Sequence, residues 1–145
     1  MDALAEIVEA LELLRRTDPQ RFTRIERFIK RVFLANYRSF LGCYRSFGQV
    51  CDLKKLPIPL VPRPLAIYSY AATLVHESTH ARLDRLRFPR TRANVKRIEK
   101  LCLKEEARFL ARFPGIHEAL DLALQHVTGP SAHTVLKHPS AYGLE

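Results

Sequence analysis

Apolar residues at Leu4, Ile7, Val8, Leu11 and Leu14 recur at helical spacing, which predicts a first amphipathic helix ending near Arg15 and Arg16. Thr17, Asp18 and Pro19 then stop one helix and start another. Thr17 or Asp18 can cap the new helix, and proline suits its first turn, where the missing N–H has no helical partner to lose. Phe22, Ile25, Phe28, Ile29, Val32 and Phe33 form the stripe of this second helix, and Arg21, Arg24, Arg27, Lys30 and Arg31 make its other face basic. From Ser39 to Leu60 the pattern changes. Tyr44, Phe47, Val50, Cys51 and Leu53, set around Gly42 and Gly48, predict one or two short strands. Pro57, Pro59, Pro62 and Pro64 forbid a regular helix and disfavour a central strand, so a stiff extended connector is expected there.

A third helix is predicted from Leu65 to about Arg87, broken by Phe88 and Pro89. The fourth runs from about Thr91 to Phe113, with Val95, Ile98, Cys102, Phe109 and Phe113 on one side, until Pro114 and Gly115 stop it. A short fifth spans Ile116 to His126, and residues 128–145 read as a loose polar tail. The expected fold class is α+β: a small, mainly helical domain with a short strand or hairpin beside the third helix. Residues 1–38 would form an N-terminal helical pair and residues 44–113 the core.

The length of 145 residues is that of one domain. Hydrophobic residues at 47% are too many for a disordered basic tail. No apolar run is long enough to cross a membrane, and the acidic, amphipathic start is unlike a signal peptide. Cys43, Cys51 and Cys102 are odd in number and widely spaced, which argues against a disulfide framework. Buried free thiols in a reducing compartment, most simply the cytoplasm, are expected instead. The net charge of +9 favours an acidic partner or nucleic acid, although no helix-turn-helix, aromatic RNA-binding or zinc-knuckle pattern accompanies it.

The third helix carries the informative stretch. His76, Glu77 and His80 read H-E-x-x-H. Residues four apart lie one turn apart on a helical face, so two imidazoles there can converge on one zinc ion. Glu77 is rotated by about 100° from His76, which places a carboxylate beside the remaining metal position, where it can accept a proton from water. Leu74, Val75 and Leu83 make the helix substantially buried, and buried polar groups need a partner that a metal supplies.

A catalytic zinc usually has three protein ligands and an open position, so a third ligand is expected from another element. The fourth helix offers Glu99, Glu105 and Glu106. Glu106 falls nearest the centre of that helix's apolar face, where a carboxylate is anomalous unless paired or metal-bound, and is the first choice. Glu105 is the second. Cys102 shares the stripe and could ligate, but a core-filling thiol is its simpler role. His117, at the start of the fifth helix, is a further candidate as ligand or transition-state donor, and Tyr68 and Tyr70 are candidates for stabilising an oxyanion.

This constellation resembles the gluzincin branch of the HExxH zinc metallopeptidases, and within it a minimal zincin-like protein of uncharacterised role. There two histidines and the general-base glutamate share one helix, and a glutamate of a following helix completes the site. The matching positions are His76, Glu77 and His80, with Glu106 or Glu105 about 25 residues on. The resemblance spans about residues 44 to 113. It implies a zinc cofactor, a peptide or protein substrate, and hydrolysis of peptide bonds through activated water. It also implies a strand beside the active-site helix that pairs with extended substrate, a role the Phe47–Leu53 stretch could serve. The alternative is a basic module that binds nucleic acid or protein, with a structural or vestigial zinc.

Overall fold

The computed structural model describes residues 2–36, 40–57 and 60–135. Helix α1 (Ala3–Thr17) is capped by Asp2, whose carboxylate accepts from Leu4 N. Its buried stripe is Ala3, Ile7, Ala10 and Leu14, whereas Leu4 and Val8, expected inside, face solvent. Asp18 ends α1 and caps α2 (Pro19–Phe28), as the Asp-Pro pair predicts.

The second helix stops five residues short of its predicted stripe. Ile29 is extended, and Val32 and Phe33 lie on a strand, β1 (Arg31–Ala35). The Gln49 side chain donates to the Phe28 carbonyl at 3.1 Å, and Lys30 N donates to Gln49 O at 2.9 Å. These bonds satisfy a helix-end carbonyl and redirect the chain into a sheet, so long-range pairing overrides the local period. The expected helical pair through residue 38 is therefore a pair ending at Phe28 followed by a strand.

Strands β2 (Gly42–Arg45) and β3 (Val50–Lys54) form the predicted hairpin. Gly48 and Gln49 both have positive φ in its turn, a conformation glycine adopts without penalty. The sheet order is β1-β3-β2, with β1 parallel and β2 antiparallel to β3. β3 is central and buried throughout. The stretch expected to serve as a substrate-pairing edge is thus already paired on both sides from Val50 to Leu53. The free edge beside the third helix belongs to β2.

Of the proline-rich connector, Ile58 and Pro59 lie outside the described residues. Helix α3 (Arg63–Arg85) begins two residues earlier than expected, with proline in its first turn. It is the centre of the molecule. From Ser69 to Thr79 every residue is buried, because α1, α2, α4, α5 and the sheet all pack on it. Helix α4 (Arg92–Leu110) returns antiparallel along it, burying Ile98, Cys102, Phe109 and Leu110. Helix α5 (Ile116–Val135) runs nine residues past its predicted end and takes up the first part of the expected tail, whose residues 136–145 lie outside the described ones. No helix among the described residues is long and apolar enough to cross a membrane. The three cysteines are free, and Cys43, expected to be buried, is exposed on β2.

Contact between β2 and α3 is set by Gly42. A Cβ there would lie 2.5 Å from Thr73 Cγ2 and 3.2 Å from Glu77 Cγ. Gly42→Ala is therefore expected to destabilise the fold by about 1–3 kcal/mol through overpacking, measured by urea unfolding. Unchanged stability would show that β2 does not approach the helix this closely.

Candidate metal centre

His76 and Glu77 are buried in α3 and His80 is partly exposed one turn on; the two histidines face α4. In an antiparallel helix pair, residues at matched distances from the turn face each other. His80 is five residues before the end of α3, and Glu99 is seven after the start of α4. Glu99 accordingly meets both imidazoles: Oε1 is 2.7 Å from His80 Nε2, and Oε2 is 3.3 Å from His76 Nε2. Glu106, two turns further along, leans back toward the turn as helical side chains do. Its Oε2 lies 2.9 Å from His76 Nδ1, the other ring nitrogen. Glu106 therefore sits behind His76, and Glu99 lies between the two Nε2 atoms.

Glu105 is elsewhere. It contacts Arg21 at 3.1 Å, Arg24 at 3.0 Å and Arg108 at 2.9 Å. Arg21 and Arg112 in turn hold the buried Asp18, at 2.6 Å and 3.1 Å. This network ties α4 to the α1–α2 corner. The second-choice ligand is thus turned away from the histidines and toward arginines, a structural role.

Cys102 lies between Glu99 and Glu106 on the same face of α4. The ligand atoms of His76, His80 and Cys102 fall within 4.8 Å of one another, a spacing that could hold a metal ion. Two groups thus compete for the third place, and their charge states differ. Burial, reinforced by the carboxylates of Glu99, Glu77 and Glu106, pushes the Cys102 thiol far up, so a metal would have to displace its proton. Burial opposes charge on Glu99 too, but contacts to His76 and His80 outweigh it and hold the carboxyl well below its usual range. Glu99 is already an anion directed at both nitrogens.

Glu77 points toward the sheet. Its Oε2 accepts a hydrogen bond from Tyr44 N at 2.9 Å, fixing the carboxylate against the free edge of β2. Burial raises its pKa, and His76 and His80 pull against that without cancelling it. Burial would likewise discharge His76, but the Glu106 and Glu99 carboxylates on its two nitrogens prevail and raise it well above the ordinary imidazole range. Two imidazoles and three carboxylates therefore lie close together, His76 and Glu77 buried and the other three partly exposed. A divalent cation would suit this donor set, because it neutralises charge that the protein itself leaves in excess.

The remaining candidates separate clearly. Tyr70 is buried and its hydroxyl accepts from Leu56 N at 3.1 Å, committing it to the core. Tyr68 packs edge-on against Phe113. His117 is exposed, 3.9 Å from Asp121, and lines a cavity together with Glu106. Between His80 and Glu99 the chain carries Arg82, Arg85, Arg87, Arg90, Arg92, Lys96 and Arg97 against the single acid Asp84. That basic segment joins the metal-facing parts of α3 and α4. Apolar-face reasoning ranked Glu99 below Glu106. Counting outward from the predicted turn at Phe88–Pro89 is the signal that singles it out. Compared with known proteins, the chain matches no family model, no curated protein and no solved structure.

A raised folded-state pKa at His76 stabilises the fold fully below the unfolded value of about 6.5 and is lost as pH rises through the raised value. Glu77 has the same sign, while the depressed Glu99 contributes fully above its unfolded value of about 4.5 and loses that contribution as pH falls below it. Chelator-treated protein is therefore expected to lose Tm as pH rises through the interval above about 6.5, read by thermal unfolding. A Tm that climbs over this interval would contradict the buried His76–carboxylate arrangement.

Proposed function

We propose that the chain is a zinc-dependent peptidase, with zinc held by His76, His80 and Glu99. The observation that carries this reading is the placement of one carboxylate against both Nε2 atoms of the H-E-x-x-H histidines. Two imidazoles and a carboxylate suit zinc and leave a position open for chemistry. When bound, zinc supplies Lewis acidity to a scissile carbonyl and makes water a nucleophile near neutral pH. Glu77, held by Tyr44 N, accepts the proton of the attacking water and passes it to the leaving amine. Burial raises its pKa, which favours a group that must both take and return a proton. Glu106 lies 2.9 Å from His76 Nδ1 and fixes the ring, and metal at Nε2 would displace the proton that Nε2 shares with Glu99. His117 is the remaining candidate for stabilising the oxyanion. The basic segment draws acidic polypeptides toward the site.

That same segment favours a second reading, a basic module for nucleic acid or protein in which zinc is structural. Glu77→Gln separates the two. In a peptidase, turnover of a peptide library falls at least about a hundredfold while zinc content and Tm stay unchanged. Zinc-loaded wild type that cleaves nothing, or a variant as active as wild type, would overturn the peptidase reading.

The ligand assignment has its own test by elemental mass spectrometry of purified protein. Wild type is expected to carry about one zinc per chain, and His80→Ala and Glu99→Ala to lose it. Glu106→Gln should retain zinc with affinity weakened by about 10–100-fold. Zinc lost in the Glu106 variant and kept in the Glu99 variant would reverse the assignment.

A further inference from the structure

Cys102 stands at the metal centre without a role in the proposed chemistry. It is fully buried on α4, one turn past Glu99 and one turn before Glu106. A thiol that only fills a core has apolar neighbours. This one lies in the field of three carboxylates, those of Glu99, Glu77 and Glu106. Its sulfur also lies within 4.8 Å of a ring nitrogen of His76 and of His80. Cys51, likewise buried, belongs to no such group among the described residues.

Helical spacing brings these groups together. His76 and His80 are one turn apart on α3, and Glu99 and Cys102 are one turn apart on α4. Each pair shares a face of its helix, and the two faces meet. Nitrogen and sulfur donors on a tetrahedral zinc stand about 3.6 Å apart, so the observed spacing closes onto an ion by a shift of roughly 1 Å. Rotation of the side chains supplies a movement of that size. Two neutral imidazoles, one carboxylate and one thiolate also offset the two charges of the ion. Three protein donors leave a position for chemistry, whereas four make a closed set.

We infer that Cys102 is a fourth ligand to the ion held by His76, His80 and Glu99, and that it closes the position at which hydrolysis would take place. The inference rests on the metal ligands of the peptidase reading, but its first test does not depend on cleavage. On coordination the S–H bond breaks, a sulfur–metal bond forms and the proton passes to solvent. No electrons are transferred, so the step reverses when the thiol takes a proton back. Cys102 gives up its proton only to an ion that the other three groups already hold. The loaded site therefore rests closed, and a polypeptide arriving there must displace the sulfur.

Full-length protein would be loaded with Co²⁺ in place of zinc and its near-ultraviolet absorption recorded. Wild type is expected to show a thiolate-to-cobalt charge-transfer band that saturates at about one Co²⁺ per chain. Cys102→Ala should abolish the band, and Cys43→Ser should leave it intact. If the alanine variant does not fold, Cys102→Ser removes the thiolate with little change of volume. Zinc affinity of the Cys102 variant, measured by competition with a chelator, should fall at least about tenfold. No uptake of cobalt, no band in cobalt-loaded wild type, or a band that survives in the Cys102 variant would overturn the inference. Cleavage of a peptide library then tests the closure. With zinc in excess, the Cys102 variant is expected to turn over at least about threefold faster than wild type. A variant no faster than an active wild type would overturn the closure. A cobalt–sulfur band with no cleavage by either protein would remove the peptidase reading and keep Cys102 as a ligand of a closed, structural ion.

Discussion

Two imidazoles and three carboxylates meet in the space between α3 and α4, and the rest of the molecule is arranged around keeping them there. Burying such a group is costly unless every charge finds a partner. Glu99 lies against both Nε2 atoms, Glu106 takes His76 Nδ1, and the Tyr44 amide takes Glu77. Glu99 and Glu106 come from α4 and the Tyr44 amide from β2. The cluster therefore holds together only when the helix pair and the sheet edge are all in place.

The surrounding packing serves that requirement. Gly42 lets β2 approach α3 closely enough for a main-chain amide to reach the Glu77 carboxylate. The arginines of α2 grip Glu105 and so fix α4 against the α1–α2 corner. Burial of His76 and Glu77 within α3 strengthens their contacts and raises the pKa of Glu77. Geometry and proton affinity thus share one origin.

The proposed chemistry grows from the same constraint. In that proposal Glu99, aimed at two histidine nitrogens, would be a metal ligand and Glu77, held by the Tyr44 amide, the base. In the same proposal the basic segment between α3 and α4 would guide an acidic partner, an attraction that salt would screen.

The sequence by itself determined the helices, the hairpin, and the sharing of one helical face by His76 and His80. Each depends on local spacing, capping or turn chemistry that the chain carries at short range. Strand β1 was not legible, because Val32 and Phe33 fit a helical stripe as well as a strand and only parallel pairing with β3 decides between them. Nor was the division of labour among three nearby glutamates. One helical wheel gives direction but not height, and Glu99 and Glu106 differ chiefly in height along α3. Tertiary structure settled that by fixing the register of the helix pair. It also turned Glu105 toward the arginines of α2, over eighty residues away in sequence, which no local pattern encodes.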